Sequence, residues 1–257
     1  MVMATNNAGL MLREWRQRRR FSQLDLAAVA DVSAKHLSYV ETGRSRPSPE
    51  MIQHLSNHLD IPLRERNALL LAAGHAPRYQ ETPHNQSAPT ELHDLLNLVM
   101  SGFRYPAFAV DAHWNLITAN PAMGLFLDGV ATHLLEPPVN VIRLSLHPDG
   151  LAPRIVNFHE YAAHILERLR RLTANHPTPE LDGLLTEFDH LAPTTDTSDT
   201  TGLALPIELT VNDGSTVRLI STITTFGAPL DVSLAELALE TFYPADTTSK
   251  AWLDAHA

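Results

Sequence analysis

The sequence contains no cysteine among its 257 residues. Disulfide bonds and thiolate metal sites are therefore excluded, and the absence suits a reducing cytoplasm. No run approaches the roughly 18 consecutive apolar residues that a membrane-spanning helix needs, and residues 1–5 show no charged-then-apolar signal segment. We therefore expect a soluble, cytoplasmic protein with no membrane partner.

Positive charge is scarce, with 19 Lys and Arg against 29 Asp and Glu and a net charge of −10. The shortage is uneven along the chain. The first 80 residues hold 11 Lys and Arg against 7 acids, so the other 177 hold 8 against 22. A nucleic acid meets only the part of a protein that faces it, so the basic N-terminal part remains a candidate for binding one.

Residues 22–43 have the pattern of two short helices packed across a tight turn. Ser22 with Asp25 predicts a capping box for the first helix, and Ser33 is placed to cap the second. Asp31 stands at the turn, where a positive φ favours Gly first and then Asn or Asp. Small and apolar residues fall where the two helices would share a core, namely Leu26, Ala27, Ala30, Val32, Leu37 and Val40.

This pair of helices lies inside a larger five-helix pattern. Residues 8–20 predict a first helix that ends in arginines, which suit the negative end of a helix dipole. Ser48 and Pro49 open a fourth helix as its cap and first residue. Pro62 opens a fifth, which closes at Gly74. The unit spans about 75 residues, enough for a small all-helical core.

Residues 10–76 resemble the DNA-binding domain of the Cro/C1 (XRE) family of bacterial and phage regulators. The resemblance implies that the helix from Ser33 to Glu41 enters the major groove of an operator and reads it with its N-terminal half. It also implies that Arg16 pairs with Glu41 as an architectural contact. The residues that it places at the DNA are Ala34, Lys35, His36 and Tyr39 for base edges, Gln23, Thr42, Arg44 and Arg46 for phosphates, and Ser33 at the start of the helix.

Composition also predicts where the domains divide. Residues 75–90 are rich in proline and lack a periodic apolar pattern, so they indicate an irregular connection. We therefore expect a helix-turn-helix domain over 1–76, a linker over 77–90 and a second domain over 91–257. A second irregular stretch, 192–202, predicts a loop inside that second domain.

The second domain has mixed helix and strand character. Residues 106–120 predict a β-hairpin, and a second hairpin turns at Asn212–Ser215. The other predicted elements are helices over Glu91–Met100, Pro121–Leu127, 155–173, Leu181–Phe188 and Ser233–Thr241, with a last turn over Ala251–His256. The expected fold is thus an all-α domain followed by an α+β domain with an antiparallel sheet.

Hairpin, helices and antiparallel strands in this order resemble a PAS-type sensor domain. Three blocks, 106–123, 140–169 and 224–246, more specifically resemble the C-terminal ligand-binding region of MmyB-like transcription regulators, which join it to an XRE helix-turn-helix. The resemblance implies a PAS-like pocket for a small, largely apolar ligand such as a fatty acid.

Pocket residues are expected on the inner face of the sheet. That expectation selects Phe108, Trp114, Ile117, Ile207, Leu219, Ser221 and Ile223. Taken singly, each apolar one fits an ordinary core residue better than a ligand contact. If the ligand carries a carboxylate, a cation is needed at the mouth of an apolar cavity. Arg143, His147 and Arg154 are the candidates, with structural salt bridges as the alternative.

Catalysis and metal binding have little support in the sequence. His54 and His58 share a helix face, but the segment HLSNH lacks the acid that a zinc protease places after its first histidine. The sequence also lacks a GxSxG elbow and a phosphate-binding glycine loop. We therefore expect no enzyme activity, no metal and no cofactor.

The preferred hypothesis is a homodimeric regulator that binds double-stranded operator DNA and responds to a small apolar ligand. The alternative is a regulator whose second domain is a ligand-free dimerisation or protein-interaction module. An enzyme with a fused DNA-binding domain is a remote third hypothesis.

Overall fold

The computed structural model describes residues 7–83, 91–175, 178–191 and 204–256. The chain divides into two compact units, the first comprising the residues up to Pro83 together with Ala228–Ala235, and the second comprising the remainder. Residues 84–90 of the expected linker and the expected loop over 192–202 lie outside the described residues.

Five helices build the first unit, as the sequence predicts. Their apolar faces form one core, in which Leu12, Leu26, Leu37 and Leu55 are fully buried. Gly9 lets the first helix approach the third, because a Cβ there would lie 2.1 Å from the backbone oxygen of Val40. The helices are α1 (Asn7–Arg18), α2 (Gln23–Val29), α3 (Ala34–Glu41), α4 (Pro49–His58) and α5 (Leu63–Ala72).

The caps that define the helix-turn-helix are confirmed. The Ser22 hydroxyl accepts from the backbone N–H of Asp25 and the Asp25 carboxylate accepts from that of Ser22, both at 3.1 Å. These hydrogen bonds hold the pKa of Asp25 below its usual value. Ser33 caps α3 through the N–H of His36 at 3.4 Å. Asp31 adopts the expected positive φ, 49°.

A buried ion pair joins α1 to α3. The Arg16 guanidinium donates to both carboxylate oxygens of Glu41, at 2.6 and 2.8 Å, and also to the backbone oxygen of Phe21 at 2.8 Å. Arg16 is 7% exposed and Glu41 2%. The hydrogen bond that Arg16 donates to Glu41 raises the pKa of the arginine. The expected architectural pair is therefore confirmed, and its forked geometry fixes how the two helices cross.

The remaining elements form an α+β unit around one sheet. Its helices are α6 (Glu91–Ser101), α7 (Gly124–Leu127), α8 (Val141–Leu146), α9 (Phe158–Asn175), α10 (Pro179–Phe188) and α12 (Thr247–His256). The short helix α11 (Val232–Glu236) lies almost entirely in the segment of the first unit. Its strands are β1 (Ala107–Val110), β2 (Leu116–Ala119), β3 (Ile207–Thr210), β4 (Thr216–Thr224) and β5 (Ala238–Pro244).

The sheet is antiparallel throughout, in the order β2-β1-β5-β4-β3. Both predicted hairpins are confirmed, as β1-β2 and β3-β4. The strand that joins them is β5, which pairs Glu240 with Phe108 on one side and with Ile223 on the other. Helices α8, α9 and α10 pack a buried apolar cluster against β1.

The helix predicted over Ser233–Thr241 is wrong. The structure has only the short α11 there, and the chain then becomes the central strand β5. Leu237 and Leu239 are buried and fit a strand and a helix equally well over so short a run. Pairing with β1, more than a hundred residues earlier in the sequence, decides the outcome. The predicted helix over 155–173 is confirmed but begins at Phe158.

Segment Ala228–Ala235 precedes β5 and belongs to the first unit. One carboxylate oxygen of Asp231 accepts from the backbone N–H and the hydroxyl of Thr82, at 3.0 and 2.8 Å. The other accepts from a backbone N–H in the first turn of α11 at 3.1 Å. A single side chain therefore caps the short helix and holds the C-terminal end of the helical unit.

None of the helices among the described residues is both long enough and apolar enough to cross a membrane.

We predict that Arg16→Met destabilises the helical unit by about 3–5 kcal/mol, because it leaves the Glu41 carboxylate buried without its cation. Amide hydrogen exchange of α1 and α3 in the full-length protein measures this loss locally. Arg13→Met, at an exposed position of the same helix, should cost under about 0.5 kcal/mol. Equal protection in the two variants would contradict an architectural role for the pair.

Candidate functional site

The first candidate surface is the N-terminal half of α3. Ser33 caps the helix, Lys35 and Tyr39 are exposed one turn apart, and Ala34 and His36 are half-buried beside them. The tight turn and the Arg16–Glu41 pair position this helix against the core. Its exposed face therefore points away from the packed helices and offers both charge and hydrogen-bonding groups.

Two cations flank one aromatic ring on this surface. The Lys35 ammonium lies 5.8 Å from the centre of the Tyr39 ring, and the Arg44 guanidinium carbon lies 5.9 Å from it. Cation–π attraction at such distances holds flexible cations near one place. The three side chains form an exposed basic cluster suited to an anionic partner.

Three other predicted DNA contacts are engaged within the protein. Gln23 donates its amide to Glu41 at 2.7 Å, so it extends the buried ion pair. Arg46 donates to the backbone oxygen of Gly74 at 2.6 Å. The Thr42 hydroxyl donates to a backbone oxygen of α3 at 2.7 Å. These contacts give each residue a structural role beside its predicted one.

The second candidate site is a cavity inside the α+β unit. It is bounded by the inner face of the sheet and by α8 and α9. The cavity is narrow, with a volume of about 50 Å³. The wall residues are Phe108, Trp114, Met123, Phe126, Val141, Ile142, Leu144, Ser145, Leu151, Tyr161, Ile165, Ile207, Leu219, Glu240 and Phe242.

Four of the ten predicted ligand-binding residues line this cavity, namely Phe108, Trp114, Ile207 and Leu219. Ile117 is not among its walls, because a register shift between Ala109 and Val110 pairs Leu116 with Val110. Such a bulge changes which residues of a strand face inward. Leu116, not Ile117, packs on the buried cluster.

Ser221 and Ile223 also lie outside the cavity walls. They belong to the part of β4 that extends beyond β3, which pairs only as far as Leu219. Helices do not cover this extension closely, and Ile223 is 45% exposed. The two residues lie on the expected face of β4, but this part of the strand extends beyond the packed part of the sheet.

The three predicted partners for a ligand carboxylate are engaged elsewhere. Arg143 donates to Glu187 at 2.6–3.2 Å, which raises the pKa of the arginine. Arg154 donates to three backbone oxygens at 2.6–3.0 Å, and burial lowers its pKa. His147 accepts from the backbone N–H of Asp149 at 3.0 Å. Structural roles therefore account for all three.

The polar groups of the wall are instead Ser145, Tyr161 and Glu240. Burial raises the pKa of Tyr161 to about 12. Burial also raises the pKa of Glu240, while Arg168 opposes the rise. The guanidinium of Arg168 lies 3.6 Å from the Glu240 carboxylate and 4.0 Å from the centre of the Trp114 ring. Sequence reasoning missed Glu240 because it assigned this segment to a helix.

Two groups of histidines lie close together among the described residues. His133, His147 and Asp149 bring ligand atoms within 4.8 Å of one another, but the lone pair of His147 Nδ1 already accepts a hydrogen bond. His54 and His58 pack edge to face with ring centres 4.9 Å apart. His54 Nε2 also lies 2.5 Å from a backbone oxygen at the end of α2.

Comparison with known proteins assigns both parts of the chain. Residues 12–66 match the helix-turn-helix family, and residues 92–255 match the MmyB-like transcription regulator ligand binding domain. Uncharacterized HTH-type transcriptional regulators of Mycobacterium bovis and Mycobacterium tuberculosis are 38% identical over 71 residues. The match covers 28% of this chain and 28% of each relative. Because the ligand-binding family covers well over half of the sequence, this chain belongs to the MmyB-like transcription regulators.

Proposed function

We propose that the protein binds operator DNA in a sequence-specific manner and that a small, mainly apolar ligand, fatty-acid-like in its chain, modulates this binding from the C-terminal domain. The observation that carries the proposal is the cavity, twelve of whose fifteen wall residues are hydrophobic. Small-molecule sites are commonly apolar clefts with a few placed polar groups. The exposed face of α3 is the surface in the same chain that would bind DNA.

The cluster of Lys35, Tyr39 and Arg44 supports the DNA-binding part. A recognition helix contacts base edges with its N-terminal residues, and the loop after it approaches the backbone. Lys35 stands in the first turn of α3, whereas Arg44 follows the helix. We therefore assign a base contact to Lys35 and a phosphate contact to Arg44.

We also propose that the protein binds as a homodimer on a pseudo-palindrome. One helix-turn-helix module buries a small area of DNA, and typical operator affinities require more. Dimers of such modules bind half-sites about one helical turn apart.

Segment Ala228–Ala235 supports a route for the ligand effect. Strands β4 and β5 contribute Leu219, Glu240 and Phe242 to the cavity wall, and the chain between them includes Asp231, which holds Thr82 in the helical unit. A ligand that repositions β5 would change the strain on this segment. Such a ligand would change the DNA affinity only as far as it binds the DNA-binding state and the other state of the protein with different affinities.

The narrowness of the cavity favours a second candidate function, a ligand-free interaction module. The cavity volume is only about 50 Å³, so an alkyl chain could enter only if wall side chains moved. A ligand stabilises the folded protein by mass action only if the protein binds it. Measuring that stabilisation therefore distinguishes a ligand sensor from a ligand-free interaction module.

We predict that Lys35→Ala and Arg44→Ala weaken DNA binding in different ways. Lys35→Ala should cost about 1–3 kcal/mol on an operator selected in vitro and relax the base preference. Arg44→Ala should weaken binding to selected and random duplexes alike. It should also lower the slope of log affinity against log salt concentration by about one. Fluorescence anisotropy over a salt series measures both effects, and footprinting should reveal two half-sites.

Lys250→Ala is the matched control, since Lys250 is the other lysine of the sequence and lies on α12. It should leave both affinities unchanged. If Lys35→Ala lost as much affinity for random duplexes as for the selected operator, Lys35 would not contact a base edge.

We predict that medium-chain fatty acids or alcohols stabilise the α+β unit, by about 2.7 kcal/mol at a hundredfold excess over the dissociation constant. Val141→Phe should abolish this thermal shift, because Val141 lines the narrow cavity. Leu98→Phe, at an exposed position of α6 outside the wall, should retain it. A panel without any thermal shift on the wild-type protein would leave the interaction module in place of the ligand sensor.

We predict that Asp231→Ala uncouples the two functions. The variant should bind DNA and ligand as the wild type does, but the ligand should no longer change its DNA affinity, because the hydrogen bonds to Thr82 are lost. Asp94→Ala, at an exposed position of α6, is the control. An undiminished ligand effect in Asp231→Ala would rule out this segment as the route.

A further inference from the structure

Two histidines and an aspartate of the α+β unit, His133, His147 and Asp149, form a cluster at the end of α8. His133 lies in a 3₁₀ turn over Thr132–Leu134, His147 caps the C-terminal end of α8, and Asp149 lies in the turn that follows. One ligand atom from each side chain lies within 4.8 Å of the other two. Because the whole of α8 separates His133 from the other two residues, no local spacing motif predicts this cluster.

The backbone holds the three residues close together. The N–H of Ala131 donates to the backbone oxygen of Asp149 at 3.0 Å, which joins the turn of His133 to the turn of Asp149. Gly150 packs this second turn tightly on α8, because a Cβ there would lie 2.2 Å from the backbone oxygen of Leu144. The backbone positions are therefore set before any ion binds, and side-chain rotation can adjust the ligand atoms.

The distances within the cluster are slightly longer than a bound ion requires. The Asp149 carboxylate lies 3.9 Å from Nε2 of His133 and 3.9 Å from Nδ1 of His147, too far for a hydrogen bond to either ring. Bonds of about 2.0–2.1 Å in a tetrahedral zinc site place neighbouring ligand atoms about 3.3 Å apart. The three side chains are between 28% and 59% exposed. Rotations that shorten the distances therefore meet little obstruction.

One existing hydrogen bond competes with an ion. His147 Nδ1 accepts from the backbone N–H of Asp149 at 3.0 Å. Because Asp149 is exposed, water can replace the imidazole as the acceptor of that N–H. The cost of freeing Nδ1 is that of one solvent-accessible hydrogen bond, which a metal–nitrogen bond exceeds.

The types of ligand atom select the class of ion. Imidazole suits Zn²⁺, Ni²⁺ and Cu²⁺, whereas Mg²⁺ and Ca²⁺ prefer sites made of oxygen atoms alone. Three protein ligands also leave a fourth tetrahedral position for water. The charge of the surrounding part of the chain favours any cation, because residues 81–257 hold 8 Lys and Arg against 22 acids.

We propose that His133, His147 and Asp149 bind one divalent transition-metal ion of the Zn²⁺ class, with water in the fourth position. The ion joins the turn of His133 to the C-terminal end of α8. Because α8 supplies part of the cavity wall, the ion also holds that part of the wall in place.

The test titrates ZnCl₂ into the full-length, tag-free protein by isothermal titration calorimetry at pH 7.5. One ion per chain should bind, and His133→Ala and Asp149→Ala should each weaken its binding at least about tenfold. Both positions are exposed, so both variants should fold. MgCl₂ should bind at least about tenfold more weakly than ZnCl₂. Amide hydrogen exchange should show that Zn²⁺ protects residues 131–150.

His58→Ala is the matched control, because it removes one ring of the other close histidine pair, in the helical unit. It should leave the Zn²⁺ affinity unchanged. The proposal would be overturned if the wild type did not bind Zn²⁺, or if His133→Ala and Asp149→Ala bound it as tightly as the wild type. A loss confined to His58→Ala would also overturn it. Mg²⁺ binding as tight as that of Zn²⁺ would reveal only the general attraction of an acidic surface for cations, and the proposal would fail.

Discussion

The α+β unit depends on the pairing of β5 between β1 and β4. This strand joins two hairpins that are separated by about a hundred residues of sequence, and no other strand of the described residues contacts both. Its inward residues Glu240 and Phe242 become part of the cavity wall. Segment Ala228–Ala235 of the first unit precedes β5 in the chain.

Two buried arginine–glutamate pairs serve different purposes in the two units. Arg16 and Glu41 form a forked pair at 2.6–2.8 Å, and additional hydrogen bonds satisfy their remaining groups. Such a pair specifies the crossing of two helices. Arg168 and Glu240 are 3.6 Å apart, and the carboxyl group borders a cavity. Ser221 and Arg168 both hydrogen-bond this carboxyl group and oppose the rise of its pKa on burial.

Membership of the MmyB-like transcription regulators agrees with this division of labour. The helix-turn-helix match covers the unit with the exposed basic cluster, and the ligand-binding match covers the unit with the apolar cavity. The charge asymmetry of the sequence follows the same boundary, since the acidic residues concentrate in the second part.

The sequence by itself determined the helix-turn-helix, because its signals are local. Ser22 with Asp25, Asp31 at the turn and the spacing of small residues act within a few positions, and local hydrogen bonds enforce them. The Arg16–Glu41 pair followed from family resemblance. Both hairpins were likewise predictable from short turns.

Only the tertiary structure decided the cavity wall. A bulge in the β1-β2 pair places Leu116, not Ile117, on the inward face. Strand β4 extends beyond its partner β3, and Ser221 lies exposed in that extension. Long-range pairing turned a helix-like run into β5 and so placed Glu240 beside the cavity. These outcomes depend on register and on partners far apart in sequence, and the pattern of residues along one segment does not contain that information.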